Sequence, residues 1–545
     1  MARRLLVSLG AAGAVLAVAA LGAQNGASAA PGSPPADPTK VVIIVVDALS
    51  KEIVEKYDMP HVEALMKTGV DTPHSYLGHT GSVTVVTHNV ITTGMLPKHM
   101  GWTNEGYRDV EGLLGPAGGL YLTSNFVNTQ MAPLQTHAGA PHLSDYLDDT
   151  GKVFTVSPKA YAAWGLAGPG SPATSVTTFA SATCNGVGWR GPTGVVPTYI
   201  STPTCGRYWV ERNKGYDTLQ EPASLYPATD DRYVVGDEPG HQGGDIWATD
   251  AVLDIIDHEG DDWSGIFVSL PGVDKAAHMW GGVDDPEGEG VVGYDPMTHM
   301  EFATATADAQ VGRIIDRLET TGQLDDTLVV LTADHGSVAG RNFYGDYKPT
   351  PDYGLSNWYY GDPLNDVFYN SPQEALKPLI ETGNVGFSYS DSSLNVWLTD
   401  QSSAKVAEAA EVMEDLPAVT AVWRRDGDHY DRVSPVRWDR MQGAEKLWFA
   451  RKAQELVDTQ AAPYGPDLVA TLPDDTTYSV AGDHGGIQRA TQQIPIVFAG
   501  GGVSHKDLRA EVRSVDIMPT ILNALGIAPT HAMDGTAYDL PRAKH

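Results

Sequence analysis

Four apolar runs, each closing on a turn rich in charge or glycine, set the rhythm of this chain. Residues 41–46 (VVIIVV) are apolar at every position and end at Asp47. A strand apolar on both faces belongs inside a parallel sheet, and a carboxylate at its C-terminal end lies where open α/β sheets hold their ligands. Ile266–Leu270 leads into Pro271-Gly272-Val273-Asp274, Leu328–Leu331 into Thr332-Ala333-Asp334-His335, and Ile494–Phe498 into a glycine run. Between these runs, residues 301–319 place Phe302, Val311, Ile314, Ile315 and Leu318 at helical spacing. Strands alternating with helices predict a doubly wound, mostly parallel α/β sheet.

Two stretches break the rhythm. Residues 104–240 are rich in Gly, Pro, Thr and Tyr, and residues 340–480 contain an aromatic, Asp-rich loop with Tyr359, Tyr360, Phe368 and Tyr369. That loop is followed by a strand–helix–strand pattern at 394–398, 403–415 and 418–424. Both stretches are expected to be insertions forming a cap over the C-terminal ends of the strands, in a single catalytic domain spanning residues 31–545.

The first thirty residues differ in kind. Arg3 and Arg4 precede an apolar run from Leu5 to about Leu21, and small residues at Ala27, Ser28, Ala29 and Ala30 precede Pro31. A positive start, an apolar middle and a small-residue cleavage site read as a secretory signal peptide over residues 1–30. A retained membrane anchor is the competing reading, against which stand Gly10, Gly13 and the Pro/Ser/Gly linker that follows. Cleavage removes two positive charges and takes the formal net charge from −32 to −34. Such a surface repels nucleic-acid backbones and anionic lipid, so a small substrate is expected and a stable nucleic-acid partner is not. Cys184 and Cys205 are the only cysteines, and in an exported protein they are expected to form a disulfide. They are too few for a thiolate metal site, which leaves His and carboxylate as the candidate donors.

Those donors recur at the strand ends: Asp47, then Asp274 and His278, then Asp334 and His335, then His484. Any one of them alone is an ordinary cap, turn or core residue. Together they supply six oxygen and nitrogen donors, enough for two zinc-like divalent ions.

The order and context of these residues resemble the alkaline phosphatase superfamily, especially its type I phosphodiesterase/nucleotide pyrophosphatase branch. The resemblance rests on V-V-D-A-L at 45–49, T-V-V-T-H-N-V-I-T-T-G-M-L-P at 84–97, V-D-K-A-A-H at 273–278, T-A-D-H-G-S at 332–337 and G-D-H-G-G at 482–486. Near the end, V-D-I-M-P-T-I-L-N-A-L-G-I at 515–527 and M-D-G at 533–535 look like the superfamily's closing helix. The resemblance implies two Zn²⁺ ions, one held by Asp274, His278 and His484, the other by Asp47, Asp334, His335 and the oxygen of the nucleophile. It implies Thr84 as that nucleophile, four residues before His88 and ahead of the Thr93-Gly94 turn, with Ser82 and Thr87 as rival hydroxyls. Thr84 as an N-cap is compatible with this role, because a helix start favours a phosphate anion.

Two departures bear on the substrate. The diesterase branch commonly has asparagine before the histidine, where this chain has Thr87. In V-S-P-K-A-Y at 156–161, Lys159 matches a phosphate-binding lysine of some monoesterases, while Tyr161 replaces their arginine; an exposed loop lysine is the equal alternative. The implied activity is a secreted phosphodiesterase acting through a phospho-threonine, with a phosphomonoesterase as the alternative and a non-catalytic binding protein as a remote one. Neither cysteine lies in a sulfatase C-x-P-S/A-x-R motif, and an exported phosphoglycerate mutase is not expected.

Overall fold

The apolar run at 41–46 lies at the middle of the molecule. In a computed structural model of the chain, which describes residues 37–123, 130–177, 183–184, 187–188, 197–200, 242–280, 282–284, 299–339, 342–343, 368–369, 373–478 and 482–542, the strand Lys40–Val46 is buried at all seven positions. It pairs in parallel with Thr327–Thr332 on one side and Trp263–Leu270 on the other. The sheet has eight strands, in the order Lys506–Asp507, Val70–Asp71, Ile496–Gly500, Thr327–Thr332, Lys40–Val46, Trp263–Leu270, Lys152–Ser157 and Thr174–Thr177. The expected α/β class and mostly parallel sheet are both present. The amphipathic segment forms the helix His299–Thr320, which buries Val311, Ile314 and Leu318, with Phe302 and Ile315 at the edge of that face. It packs with Gln242–Glu259 against the sheet.

Two expectations change. The fourth apolar run, as Ile496–Gly500, pairs antiparallel with Thr327–Thr332, with Gly500 opposite Leu328. Its glycine run therefore lies at the end of the sheet away from Asp334, although its composition matches that of the parallel strands. Residues 104–240 are not wholly an insertion, because Lys152–Ser157 and Thr174–Thr177 within them extend the main sheet. Their Thr and Ser content hid them in a Thr-rich background.

The region 340–480 contributes a second, six-stranded sheet in the order Phe368–Tyr369, Val385–Ser390, Ser393–Leu398, Leu468–Thr471, Ala421–Asp426 and His429–Arg432. The expected strand–helix–strand unit is part of it, with the helix at Ser403–Glu414. That helix and Gln373–Ile380 bury Val406, Ala409, Met413, Leu376 and Leu379 with Val396, Leu398 and Val422 of the sheet. Trp397, Phe387 and Tyr389 join Trp102, Tyr107, Val86 and Val90 in a separate apolar cluster. At Gly106 any Cβ would sit 2.5 Å from the Trp397 ring, so the approach requires glycine.

The segment read as a signal peptide, and Cys205 with its expected bond to Cys184, lie outside the described residues. Among the described residues no helix is long and apolar enough to cross a membrane.

Candidate metal centre

The donors are placed by strand ends, by one short helix and by a loop. Asp47 follows Lys40–Val46, its N–H donating to Leu270 O across the sheet. The next residue, Ala48, has φ 65°, a left-handed conformation that costs a non-glycine residue energy. The turn aims the Ala48 N–H at Asp334 Oδ1, 3.3 Å away. Asp274 and His278 lie one turn apart in the helix Gly272–Trp280, with His278 Nε2 3.1 Å from Asp274 Oδ1. His484 sits in a loop whose neighbour Gly485 has φ +87°, and a Cβ there would lie 2.2 Å from Asp391 Oδ2.

All six predicted donors converge. Ligand atoms of Asp274, His278 and His484 lie within 4.8 Å of one another, and so do those of Asp47, Asp274 and His335. The first group matches the expected set. In the second, Asp274 stands where Asp334 was expected, and Asp334 Oδ2 lies 3.6 Å from His335 Nε2. Asp274 therefore belongs to both groups, which no spacing in the sequence could reveal.

Backbone carbonyls orient the imidazoles. A carbonyl can only accept, so His484 Nδ1 donates to Ser82 O at 2.9 Å and His335 Nδ1 to Gly336 O at 3.1 Å. Each ring thereby turns Nε2 toward the carboxylates, the orientation in which that nitrogen can bind a metal. His335 and His484 also stack, with centroids 3.6 Å apart.

The electrostatics fit a cation. Among the described residues Asp334 Oδ2 is buried without a hydrogen bond, a costly state for a polar atom unless something else binds it, while Asp47 Oδ1 and His335 Nε2 face each other at 3.2 Å. Burial and then the charge of Asp47 push the Asp334 carboxyl up to about 7. Burial opposes a charge on His335, but the adjacent Asp334 and Asp47 outweigh it and raise the imidazole to about 9. For His484, burial and then the neighbouring His335 and His278 hold the ring well below its ordinary value, as a ligand with a free lone pair requires. The carboxylate and imidazole donors, without thiolate, suit zinc or a similar divalent ion.

Lys159 is no exposed loop residue. It is 1% exposed and bonds both Asp47 Oδ2 and Asp274 Oδ2, the latter at 2.7 Å. Tyr161 is partly buried, and Lys159 Nζ lies 6.0 Å from the centre of its ring.

Thr84 opens the helix Thr84–Thr93 as its first residue; Val83, not Thr84, is the cap. Of the three rival hydroxyl residues, Thr84 is 6% exposed, and Ser82 and Thr87 are 0% exposed. Thr87 Oγ1 faces His79 Nε2 at 3.4 Å. His88 had served only as a landmark for counting to Thr84. Its Nδ1 lies 2.6 Å from Thr84 O and 3.6 Å from Asp334 Oδ2, and the four-residue spacing was the signal for that contact.

A family model described as type I phosphodiesterase / nucleotide pyrophosphatase matches residues 41–493, which include every one of these donors. The chain belongs to this family. It is a phosphoester hydrolase. Its fold is similar to that of alkaline phosphatase PafA, with a TM-score of 0.55 and 14% identity over 91% of this chain and 97% of that one. It is also similar to murine ectonucleotide pyrophosphatase / phosphodiesterase 5, with a TM-score of 0.50 and 11% identity over 91% and 97%. An inactive threonine-to-alanine form of the murine protein, in complex with AMP, matches at a TM-score of 0.50 and 10% identity over the same shares. No curated protein sequence matches the chain.

Proposed function

We propose that this family member is an exported phosphodiesterase that uses Thr84 as a covalent nucleophile beside two zinc ions. The observation that carries the reading is the convergence of two donor groups sharing Asp274, close to a helix start whose residues Ser82 and Thr84 bond to His484 and His88. Two divalent ions held there supply charge to lower the pKa of the hydroxyl and to stabilise the leaving oxygen.

Asp274, His278 and His484 would hold one ion, and Asp47, His335 and Asp274, with Asp334 alongside, would hold the other. Thr84 Oγ1 forms a bond to phosphorus as the bond from phosphorus to the leaving oxygen breaks, and the proton of the Thr84 hydroxyl passes through solvent to the departing alkoxide. Water then cleaves the phospho-threonine ester, returning the Thr84 hydroxyl and releasing the phosphate half of the substrate. A phosphoryl group bound beside Thr84 would lie at the helix start, where partial positive charge accumulates. The second sheet reaches the site through Ser392, in the turn between Val385–Ser390 and Ser393–Leu398, which donates its N–H to His484 O at 3.0 Å. The complex of the murine relative with AMP supports a nucleotide-sized ester as substrate.

Buried Lys159 favours a second reading, a phosphomonoesterase, because its charge suits the dianion of a monoester. Matched nitrophenyl mono- and diesters separate the two.

Thr84→Ala, which deletes one oxygen and one methyl group, should abolish turnover of bis(4-nitrophenyl) phosphate while largely preserving the fold and at least the ion at Asp274, His278 and His484. Near-normal activity in this variant, with loss in Ser82→Ala instead, would move the nucleophile to Ser82. Export is tested by sequencing the N-terminus of the mature protein, which should begin at Pro31.

A further inference from the structure

Three histidines at the centre share one arrangement. His335, His484 and His88 each turn Nδ1 toward a backbone carbonyl, at 3.1, 2.9 and 2.6 Å. The first two are candidate ligands through Nε2. His88 is fully buried, and its Nε2 has no hydrogen-bond partner among the described residues. A carbonyl accepts and cannot donate, so the single proton of the neutral ring is on Nδ1 and is directed at Thr84 O. The same nitrogen lies 3.6 Å from Asp334 Oδ2, which has no hydrogen bond of its own. One N–H thus lies between the backbone of the nucleophile and a carboxylate of the metal centre. Gly165 of the helix Ala160–Ala167 packs closely on the base of the side chain: a Cβ there would sit 2.9 Å from His88 Cβ.

We infer that His88 is a positioning residue for the reaction. Acting as a neutral Nδ1–H donor, it locks the first turn of the Thr84 helix against Asp334, so that the hydroxyl of Thr84 is held in line with the substrate. The inference rests on Thr84 being the nucleophile. His88 touches neither substrate nor metal; it acts through Thr84.

The helix itself supplies a conservative replacement. Asn89, the next residue, reaches back with its amide to Val85 O at 2.6 Å, so an asparagine side chain can span four residues here. His88→Asn keeps a donor for Thr84 O, and His88→Leu removes it at similar bulk. In the zinc-loaded full chain with bis(4-nitrophenyl) phosphate, His88→Leu should lower kcat about 100-fold with KM within about two-fold, as loss of alignment does. His88→Asn should stay within about five-fold of the wild type, with the same zinc content. Equal losses in the two variants, or no loss in His88→Leu, would overturn the inference. Thr84→Ala assayed alongside separates the two failures. An active Thr84→Ala sinks the nucleophile reading, whereas an inactive Thr84→Ala beside a fully active His88→Leu sinks only the role of His88. If His88→Leu does not fold, ¹⁵N-histidine NMR of the wild type, assigned through His88→Asn, must show the proton on Nδ1. A proton on Nε2 would be decisive against the proposal.

Discussion

Because Asp274 belongs to both donor groups, its loss should do what loss of no other ligand does. Asp274→Asn is nearly isosteric, removes one charge and leaves a weak neutral ligand. The 2.7 Å bond from the buried Lys159 ammonium to Asp274 Oδ2 also loses its charge assistance, while the bond to Asp47 Oδ2 keeps it. A charge-assisted hydrogen bond of this kind contributes roughly 1.5–3 kcal/mol. Part of that loss is offset, because the charge of Asp274 raises both Asp47 and Asp334 and its removal relieves them. The chain should therefore fold, with a net destabilisation of about 1–2 kcal/mol. The catalytic effect is larger. If the two ions together contribute at least ~4 kcal/mol of transition-state stabilisation, kcat falls at least 10³-fold. Elemental analysis after dialysis is the direct assay. Asp274→Asn should retain no zinc, and His278→Ala, which touches the first group alone, should retain one ion per chain. An Asp274→Asn protein that keeps one ion would show that Asp274 serves a single site, and one that keeps two would refute the shared-ligand geometry altogether.

Wild-type kcat/KM should favour a diester over its matched monoester, and Tyr161→Arg should shift the ratio toward the monoester by about ten-fold or more, since an arginine fork beside Lys159 matches the extra charge; a wild type that prefers the monoester would overturn the diesterase reading. His142 is buried beside Thr92, and burial, then His531, pushes its imidazole down to about 3. The unfolded chain takes up that proton near pH 6.5 while the native chain does not, so stability falls as pH drops from about 6.5 toward 3, by roughly 1.4 kcal/mol per unit from this residue. Urea unfolding of His142→Gln at pH 6 and pH 4 should show a slope flatter by about that amount, and an unchanged slope would count against the buried neutral ring.

What was legible in the sequence was local. VVIIVV reads as a doubly buried strand because it is apolar at every position, and the helix His299–Thr320 reads from its own periodicity. The donors were legible because each lies within a few residues of a strand or on one helix turn, as Asp274 and His278 do. What was not legible depends on pairing across the fold. The direction of Ile496–Gly500 is set by the chain path before it. The position of Lys159 between Asp47 and Asp274 is set by the strand Lys152–Ser157 docking beside Trp263–Leu270. The sharing of Asp274 arises only when three strand ends meet, and no motif encodes it.

The helix that carries Thr84 ties these levels together. Eight of its ten residues, in T-V-V-T-H-N-V-I-T-T, are β-branched, and such side chains favour strands because they lose rotamer freedom in a helix. At about 0.5 kcal/mol each relative to alanine, the sequence opposes this helix by roughly 4 kcal/mol. Val85, Val86, Val90 and Ile91 are all fully buried, and at about 1.5–3 kcal/mol each they contribute roughly 6–12 kcal/mol in the other direction. Packing therefore decides the local structure. Side chains add to it by reaching back one turn, as Thr93 Oγ1 does to Asn89 O at 2.6 Å and Asn89 to Val85 O at 2.6 Å. Isolated from its neighbours this segment has no reason to be helical. The nucleophile is thus presented only by the assembled core, and a mutation that loosens Trp102, Trp397 or Gly165 around the helix should reach Thr84 through the fold.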